Sequence, residues 1–252
     1  MRMADAPAKP AKIAAWWHLA AYLAIMAGIT IMGFRAQQTG PSNEGAAAAG
    51  QLIDHSQAIR NYLIDILGDC GLLYWCIVGV QWHRGIGIGS ALETLSSGRW
   101  LTWQGLARDL AIALPFWVVW EATAYGVHWL LDLRGPDTAR STTSMLPQSW
   151  IEVAMWILVS IVAGVTEELQ SRGYLQQQLH ALSGSIVFAV IAQGLVFGSG
   201  HSYQGWRQVI VISVLGILYG ALAAWRRNLR ANIIAHAWSD VWEGWLKMVV
   251  FH

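Results

Sequence analysis

Apolar and polar residues alternate along this chain in long blocks, not with the short period of a half-buried strand or helix. A membrane-crossing helix needs about 20 mostly apolar residues. Seven blocks meet or approach that length: Ile13–Phe34, Asn61–Trp82, Leu110–Leu131, Trp150–Leu179, Ser185–His201, Gln208–Trp225 and Ala231–Phe251. The sixth is the cleanest, an uncharged run between Arg207 and Arg226. The second, third, fourth and seventh contain acids. The fifth is short and runs into Gly-Ser-Gly-His, so its outer end is expected to be irregular backbone lining a cavity. Between the blocks, Arg35–Arg60 and Asp132–Gln148 read as loops, and Gly85–Arg108 as a connection containing an interfacial helix. No internal repeat is visible. The pattern predicts an all-α fold, a polytopic bundle of about seven transmembrane helices (six to eight). It divides into a polar tail (1–12), N-terminal helices and loops (13–149) and a C-terminal helical core (150–251), together one membrane domain.

Composition supports this. The chain is 55% hydrophobic and 12% charged, against about 25% charged residues in a soluble domain. A net charge of +1 offers nothing to nucleic acid. Of the tryptophans, Trp16, Trp82, Trp150, Trp206 and Trp225 sit near block ends, where interfacial anchors belong. Cys70 and Cys76 fall in an apolar run and are expected to be buried thiols. The first apolar block is longer than the 7–15 residues of a signal peptide's core and reads as a retained helix. With the N-terminus in the cytoplasm, ten Lys and Arg fall inside and six outside, so that orientation is expected. The expected location is a bacterial-type inner or plasma membrane.

An acid inside a membrane helix is a functional candidate by default, and three places stand out. In Val165-Thr-Glu-Glu-Leu-Gln-Ser-Arg172, Glu168 and Arg172 are four apart and share a helix face. Glu167 is offset by about 100° and is left free to face a cavity. The following Gln-Gln-Gln-Leu-His reads equally as a solvated helix end. Phe197-Gly-Ser-Gly-His201 and His236-Ala-Trp-Ser-Asp240 supply imidazoles, the second with a carboxylate one turn on. A plain hydrogen-bonding role fits each alone, and Asp240, Glu243 and Lys247 also form a polar stripe. A helical hairpin closed at Ser183-Gly184 brings His201 level with Glu167, because about 15 to 17 residues, or about 23 to 26 Å of helix, separate each from the turn.

A free carboxylate and a nearby imidazole can hold and deprotonate a water, which is general-base chemistry, and a second imidazole can stabilise an oxyanion. Glu, His, His and Asp can alternatively bind zinc with an open position for water. Either arrangement fits amide hydrolysis. Other candidates are weaker. Ser199 is two residues from His201 and so points elsewhere on a helix. The cysteines lack a neighbouring His. Asp65 and Asp69 read as partners of a helix dipole, and Glu121 and His128 as hydrogen-bonding groups across the bundle.

At these motifs the chain resembles the CPBP intramembrane proteases, which include CAAX prenyl endopeptidases and bacterial Abi proteins. Their pattern is EExxxR, FxxxH and HxxxN or HxxxD on successive membrane helices, here Glu167-Glu168…Arg172, Phe197…His201 and His236…Asp240, within Trp150 to about Lys247. The resemblance implies a catalytic core at 150–251 with a site inside the membrane that opens to the cytoplasm. Glu167 and His201 would activate water. His236 and Asp240 would stabilise the oxyanion or complete a metal site, with Glu167, His201 and His236 as ligands if zinc is bound. Glu168, Arg172 and Phe197 would support them. Asp240 stands where some members carry Asn. An ionised Asp donates no hydrogen bond, so it acts protonated, binds metal, or orients His236. The substrate would be a membrane-anchored or membrane-proximal peptide. Two other readings share these residues: a non-catalytic immunity or scaffold protein, and a proton-coupled transporter, which an inverted repeat would mark.

Overall fold

A computed structural model of the chain describes residues 10–39, 58–98, 103, 105–132 and 146–251; the side chains of 39 and 245–251, and with them the Lys247 end of the polar stripe, lie outside the description. Most of the loops 35–60 and 132–148 also lie outside it. The described residues form helices and no strand. In order these are α1 (Trp16–Thr39), α2 (Ala58–Arg84), α3 (Ile88–Leu95), α4 (Leu106–Asp132), α5 (Trp150–Glu168), a π-helical segment (Leu169–Gln176), α6 (Gln177–Ser183), α7 (Ile186–Gly200), a 3-10 turn (Ser202–Gln204), α8 (Trp206–Arg226) and α9 (Arg230–Phe251). Five are long and apolar enough to cross a membrane, counting α5 through α6 as one span, Trp150–Ser183. The fifth predicted block, α7, is a shorter apolar helix, and α9 carries charges that keep it out of the five. The predicted helix in the 85–108 connection is α3.

In lipid every backbone polar group must be satisfied within the protein, which favours helices with closed ends. At the start of α5, Ser149 Oγ accepts from Glu152 N at 3.3 Å and Glu152 Oε2 accepts from Gln148 N at 2.7 Å, a reciprocal cap. The predicted hairpin closes at Gly184, whose φ of 75° is the left-handed conformation that glycine adopts without strain. Ser185 then caps α7 by accepting from Phe188 N. The five tryptophans named above are all exposed at helix ends, as anchors to the membrane–water boundary would be. Cys76 is buried, whereas Cys70 is exposed, contrary to expectation, because it falls on the outward face of α2.

The polar stretch after α5 is not a solvated helix end. All eight residues of the π-helical segment are buried, and so is Gln178. Their side chains reach backbone groups of four neighbouring helices or their ends. Gln170 donates to Asp69 O on α2 at 2.9 Å, Arg172 to Gly216 O and Gln176 to Gly220 O on α8, each at 3.1 Å. Gln177 reaches Thr94 O on α3, and Gln178 accepts from Ile13 N and Ala14 N while donating to Ala14 O ahead of α1. Gly173 packs on the backbone of Leu95, where a Cβ would lie 2.4 Å from its carbonyl oxygen. The span is therefore the hub of the bundle. Buried polar groups kept in apolar surroundings must be hydrogen-bonded, and here neighbouring backbones do that.

Candidate active site

Glu168 sits at the centre of a buried network. Its Oε1 accepts from Arg172 Nη1 at 2.9 Å, and both side chains are fully buried. The same oxygen lies 3.0 Å from His236 Nδ1, and Oε2 accepts from Asn232 Nδ2 at 3.1 Å. The predicted pairing of Glu168 with Arg172 is present. The guanidinium is packed between Phe197, 4.4 Å from its ring centroid, and Tyr219, at 5.2 Å. This gives Phe197 a physical role, since an aromatic face stabilises a desolvated cation. Tyr219 also stacks on His236, with centroids 5.3 Å apart and planes at 28°.

Because His236 Nδ1 faces a carboxylate, that nitrogen carries the proton, which leaves Nε2 for chemistry. Nε2 points at two further acids, Glu167 Oε2 and Asp240 Oδ2, each 3.7 Å away. These gaps exceed a hydrogen bond and suit a bridging molecule. Glu167 Oε2 is buried and has no hydrogen-bond partner. The offset of Glu167 from Glu168 thus has its expected consequence: one acid is neutralised and the other is left over.

His201 ends α7, and its Nδ1 bonds to Phe197 O at 3.0 Å. Its ring contacts are Phe197 at 5.0 Å and Tyr203 at 6.2 Å, while Phe197 meets His236 edge-on at 6.0 Å. The imidazole beside Glu167 is that of His236, while His201 packs against the Phe197 ring. Irregular backbone follows α7 as expected, held to α1 by Ser202 Oγ donating to Thr30 O and Thr30 Oγ1 donating to Ser199 O. Ser199 Oγ is engaged with Val196 O. Glu121 accepts from Trp117 one turn before it.

Asp65 and Asp69 do not serve the α2 dipole. They lie at the eighth and twelfth positions of α2, beyond the first turn where a dipole acts. Instead both come within electrostatic range of Glu167, and Asp69 also of His236. Tyr203 is within range of Glu167, Asp65 and Asp240. Sequence reasoning missed Asn232 and Tyr219, and gave Asp69 a different role. Asn232 could have been found, because Asn232, His236 and Asp240 recur every four residues on one face.

Residues 148–242 match the type II CAAX prenyl endopeptidase Rce1-like family. The matched region contains all three motifs and agrees with the resemblance to CPBP proteases. The match covers the C-terminal helices only, and the same chain has five helices long and apolar enough to cross a membrane. No curated protein and no solved structure matches the chain. Among the described residues, no group of three or more His, Cys, Asp or Glu side chains has an arrangement that would hold a metal ion.

Proposed function

We propose that this protein is an intramembrane endopeptidase that hydrolyses a peptide bond of a membrane-associated substrate with a water activated by Glu167. The observation that carries this reading is the unpartnered Glu167 Oε2, buried 3.7 Å from His236 Nε2. A water bridging these two atoms gives up a proton to Glu167 as its oxygen attacks the scissile carbonyl carbon. The new C–O bond forms as the carbonyl becomes an oxyanion. When the C–N bond breaks, the carboxylic acid of Glu167 returns the proton to the leaving amine. Glu168 holds His236 in one tautomer and orientation, with Asn232 and Arg172 fixing Glu168. Asp240 orients His236 from the other side. His201 serves the oxyanion only with both ring nitrogens protonated, because its Nδ1 already donates to Phe197 O.

The test is cleavage of a membrane-inserted peptide in detergent by the wild type, Glu167→Gln, His201→Ala and His236→Ala, with and without a chelator. Loss of cleavage in Glu167→Gln with retained thermal stability supports the proposal. Unchanged cleavage would remove Glu167 from the chemistry, and loss with chelator would add a metal to it.

A further inference from the structure

A cavity of about 410 Å³ opens at one end of the bundle, where the turn after α3, the α6–α7 hairpin and the α8–α9 turn come together. That volume is in the range of small-molecule sites. None of Glu167, His201, His236 or Asp240 lines it, so it is a second place, apart from the acidic cluster. Trp225, exposed just before the α8–α9 turn, marks this level as the membrane–water boundary. Ile186, Ala223 and Leu229 supply an apolar side wall.

The polar wall is unfinished in two places. Arg172 and Gln176 line the cavity and are only 2% and 4% exposed. Arg172 gives Nη1 to Glu168 and Nη2 to Gly216 O, but its buried Nε has no acceptor. Gln176 gives Nε2 to Gly220 O, but its buried Oε1 has no donor. Buried polar atoms are nearly always paired, so a ligand that fits here has to offer one acceptor and one donor. The mouth adds positive charge. Arg227 is exposed, lines the cavity and joins no ion pair among the described residues. His180 lines it too, and no Asp or Glu does. Ser97 Oγ accepts from Gln177 Nε2 at 3.2 Å and can donate its own proton in turn. Among the described residues, Ser97 and Arg227 are the two that are not glycine and yet have positive φ, 60° and 53°. That left-handed region is uncommon for a residue with a side chain, and such strain recurs at ligand clamps. Both residues line this one cavity.

We propose that this cavity binds a phosphate ester that carries a free hydroxyl, the chemistry of the glycerol phosphate headgroup of an anionic phospholipid. Phosphate oxygens accept from Arg227 at the mouth, from Ser97 and from Arg172 Nε, and the ligand hydroxyl donates to Gln176 Oε1. Arginine suits this role because its planar fork of N–H groups matches phosphate oxygens. Basic pockets between membrane helices hold such headgroups. The apolar wall and the boundary position favour the lipid over a soluble ester, since an acyl chain can lie along Ile186, exposed at the start of α7. The proposal concerns binding alone and does not depend on the protease reading.

The test is thermal unfolding of the full chain, stripped of lipid in a neutral detergent, with added phosphatidylglycerol, glycerol 3-phosphate or phosphatidylcholine. Phosphatidylglycerol should raise Tm by about 5–11 °C at a hundredfold excess over its Kd. Phosphatidylcholine, a zwitterion without a headgroup hydroxyl, should not. Arg227→Gly removes the charge at a φ that glycine adopts without strain, and Ala224→Leu narrows the cavity while leaving the charges in place. Both variants should fold and lose the shift. Arg84→Gln, at the end of α2 and away from the cavity, should keep it. A shift with phosphatidylglycerol alone identifies the lipid headgroup as the ligand. A shift with glycerol 3-phosphate as well, or with it alone, identifies the soluble ester as sufficient. No shift with either, an equal shift with phosphatidylcholine, a shift that survives in Arg227→Gly or Ala224→Leu, or an equal loss in Arg84→Gln overturns the proposal.

Discussion

Glu168→Gln is an isosteric change with a large expected effect. The carboxylate faces three donors, Arg172 Nη1 at 2.9 Å, His236 Nδ1 at 3.0 Å and Asn232 Nδ2 at 3.1 Å. A glutamine offers one accepting oxygen and replaces the other with an NH2 group, so at least one donor is left facing a donor. More costly is the arginine, whose side chain is fully buried. Removing one partner of a buried ion pair costs about 3–5 kcal/mol, whereas replacing both by apolar groups is often close to neutral. At about 2–4 °C per kcal/mol for a chain of this length, Glu168→Gln should lower Tm by about 6–20 °C. Adding Arg172→Met should recover at least half of that loss, although the contacts of the guanidinium with Phe197, Tyr219 and Gly216 O are lost. The assay is thermal unfolding in detergent followed by intrinsic tryptophan fluorescence for the wild type, both single variants and the double variant. A Glu168→Gln protein that melts within about 2 °C of wild type, below the shift of a single kcal/mol, refutes the reasoning. So does a double variant that loses the sum of the two singles, since contacting residues in one network are expected to couple.

Glu167→Gln should lower kcat by about 10²–10⁴, the range of a general base, while leaving Tm unchanged, because its Oε2 has no partner to lose; steady-state cleavage and a melting curve check both halves. Gly173→Ala drives a methyl to 2.4 Å from Leu95 O and should destabilise by about 1–3 kcal/mol, read as a lower Tm. His18→Phe leaves Tyr174 OH and Trp75 O without the imidazole that bonds them at 2.6 and 3.1 Å. Stranding a buried polar group costs about 1–3 kcal/mol, so this variant should melt earlier and yet keep its Glu167-dependent cleavage.

Much of this was legible in the sequence, for definite reasons. Block length marks membrane helices because lipid forbids an unsatisfied backbone, and each predicted span begins and ends within a few residues of the observed helix. Four-residue spacing gave the Glu168–Arg172 pair, and counting residues to Ser183-Gly184 located the hairpin. What spacing does not give is which helix a side chain will meet. Asp69 is four residues from Asp65 and shows no motif, yet α2 packs so that its carbonyl takes a bond from Gln170 and its carboxylate approaches Glu167. Tyr219 lies in an uncharged run and is chosen only by the crossing of α8 and α9. Counting residues to the hairpin puts His201 level with Glu167, and the resemblance pairs them. The imidazole 3.7 Å from Glu167 is that of His236, while His201 bonds to Phe197 O and packs on its ring.

The same limit explains the helix end carrying Gln-Gln-Gln-Leu-His (176–180), for which a solvated end is one of two equal readings of the sequence. A polar segment has two ways to avoid the cost of desolvation: it can reach water, or it can find partners inside. Local composition is the same in both cases. Here the second outcome depends on surfaces far away in sequence that present backbone atoms at close range. Gly216 and Gly220 leave their carbonyls open to Arg172 and Gln176, and Leu95 packs directly on Gly173. The helix accommodates this by widening to a π-helical turn, a distortion that recurs at functional sites. Its consequence for chemistry is mechanical. Arg172 is held by α8 and by two aromatic rings, so Glu168 is fixed, and Glu168 in turn fixes His236. The rigidity of the His236 imidazole therefore originates in the stretch from Leu169 to Gln176, which carries none of the residues proposed to act on substrate. A substitution there that loosens the hub, with Glu167 and His236 intact, should reduce kcat before it unfolds the protein. If Gln176→Ala, which gives up only the bond to Gly220 O, lowers Tm while kcat measured well below that Tm stays at the wild-type value, the hub supports the fold alone and the site is held by something else.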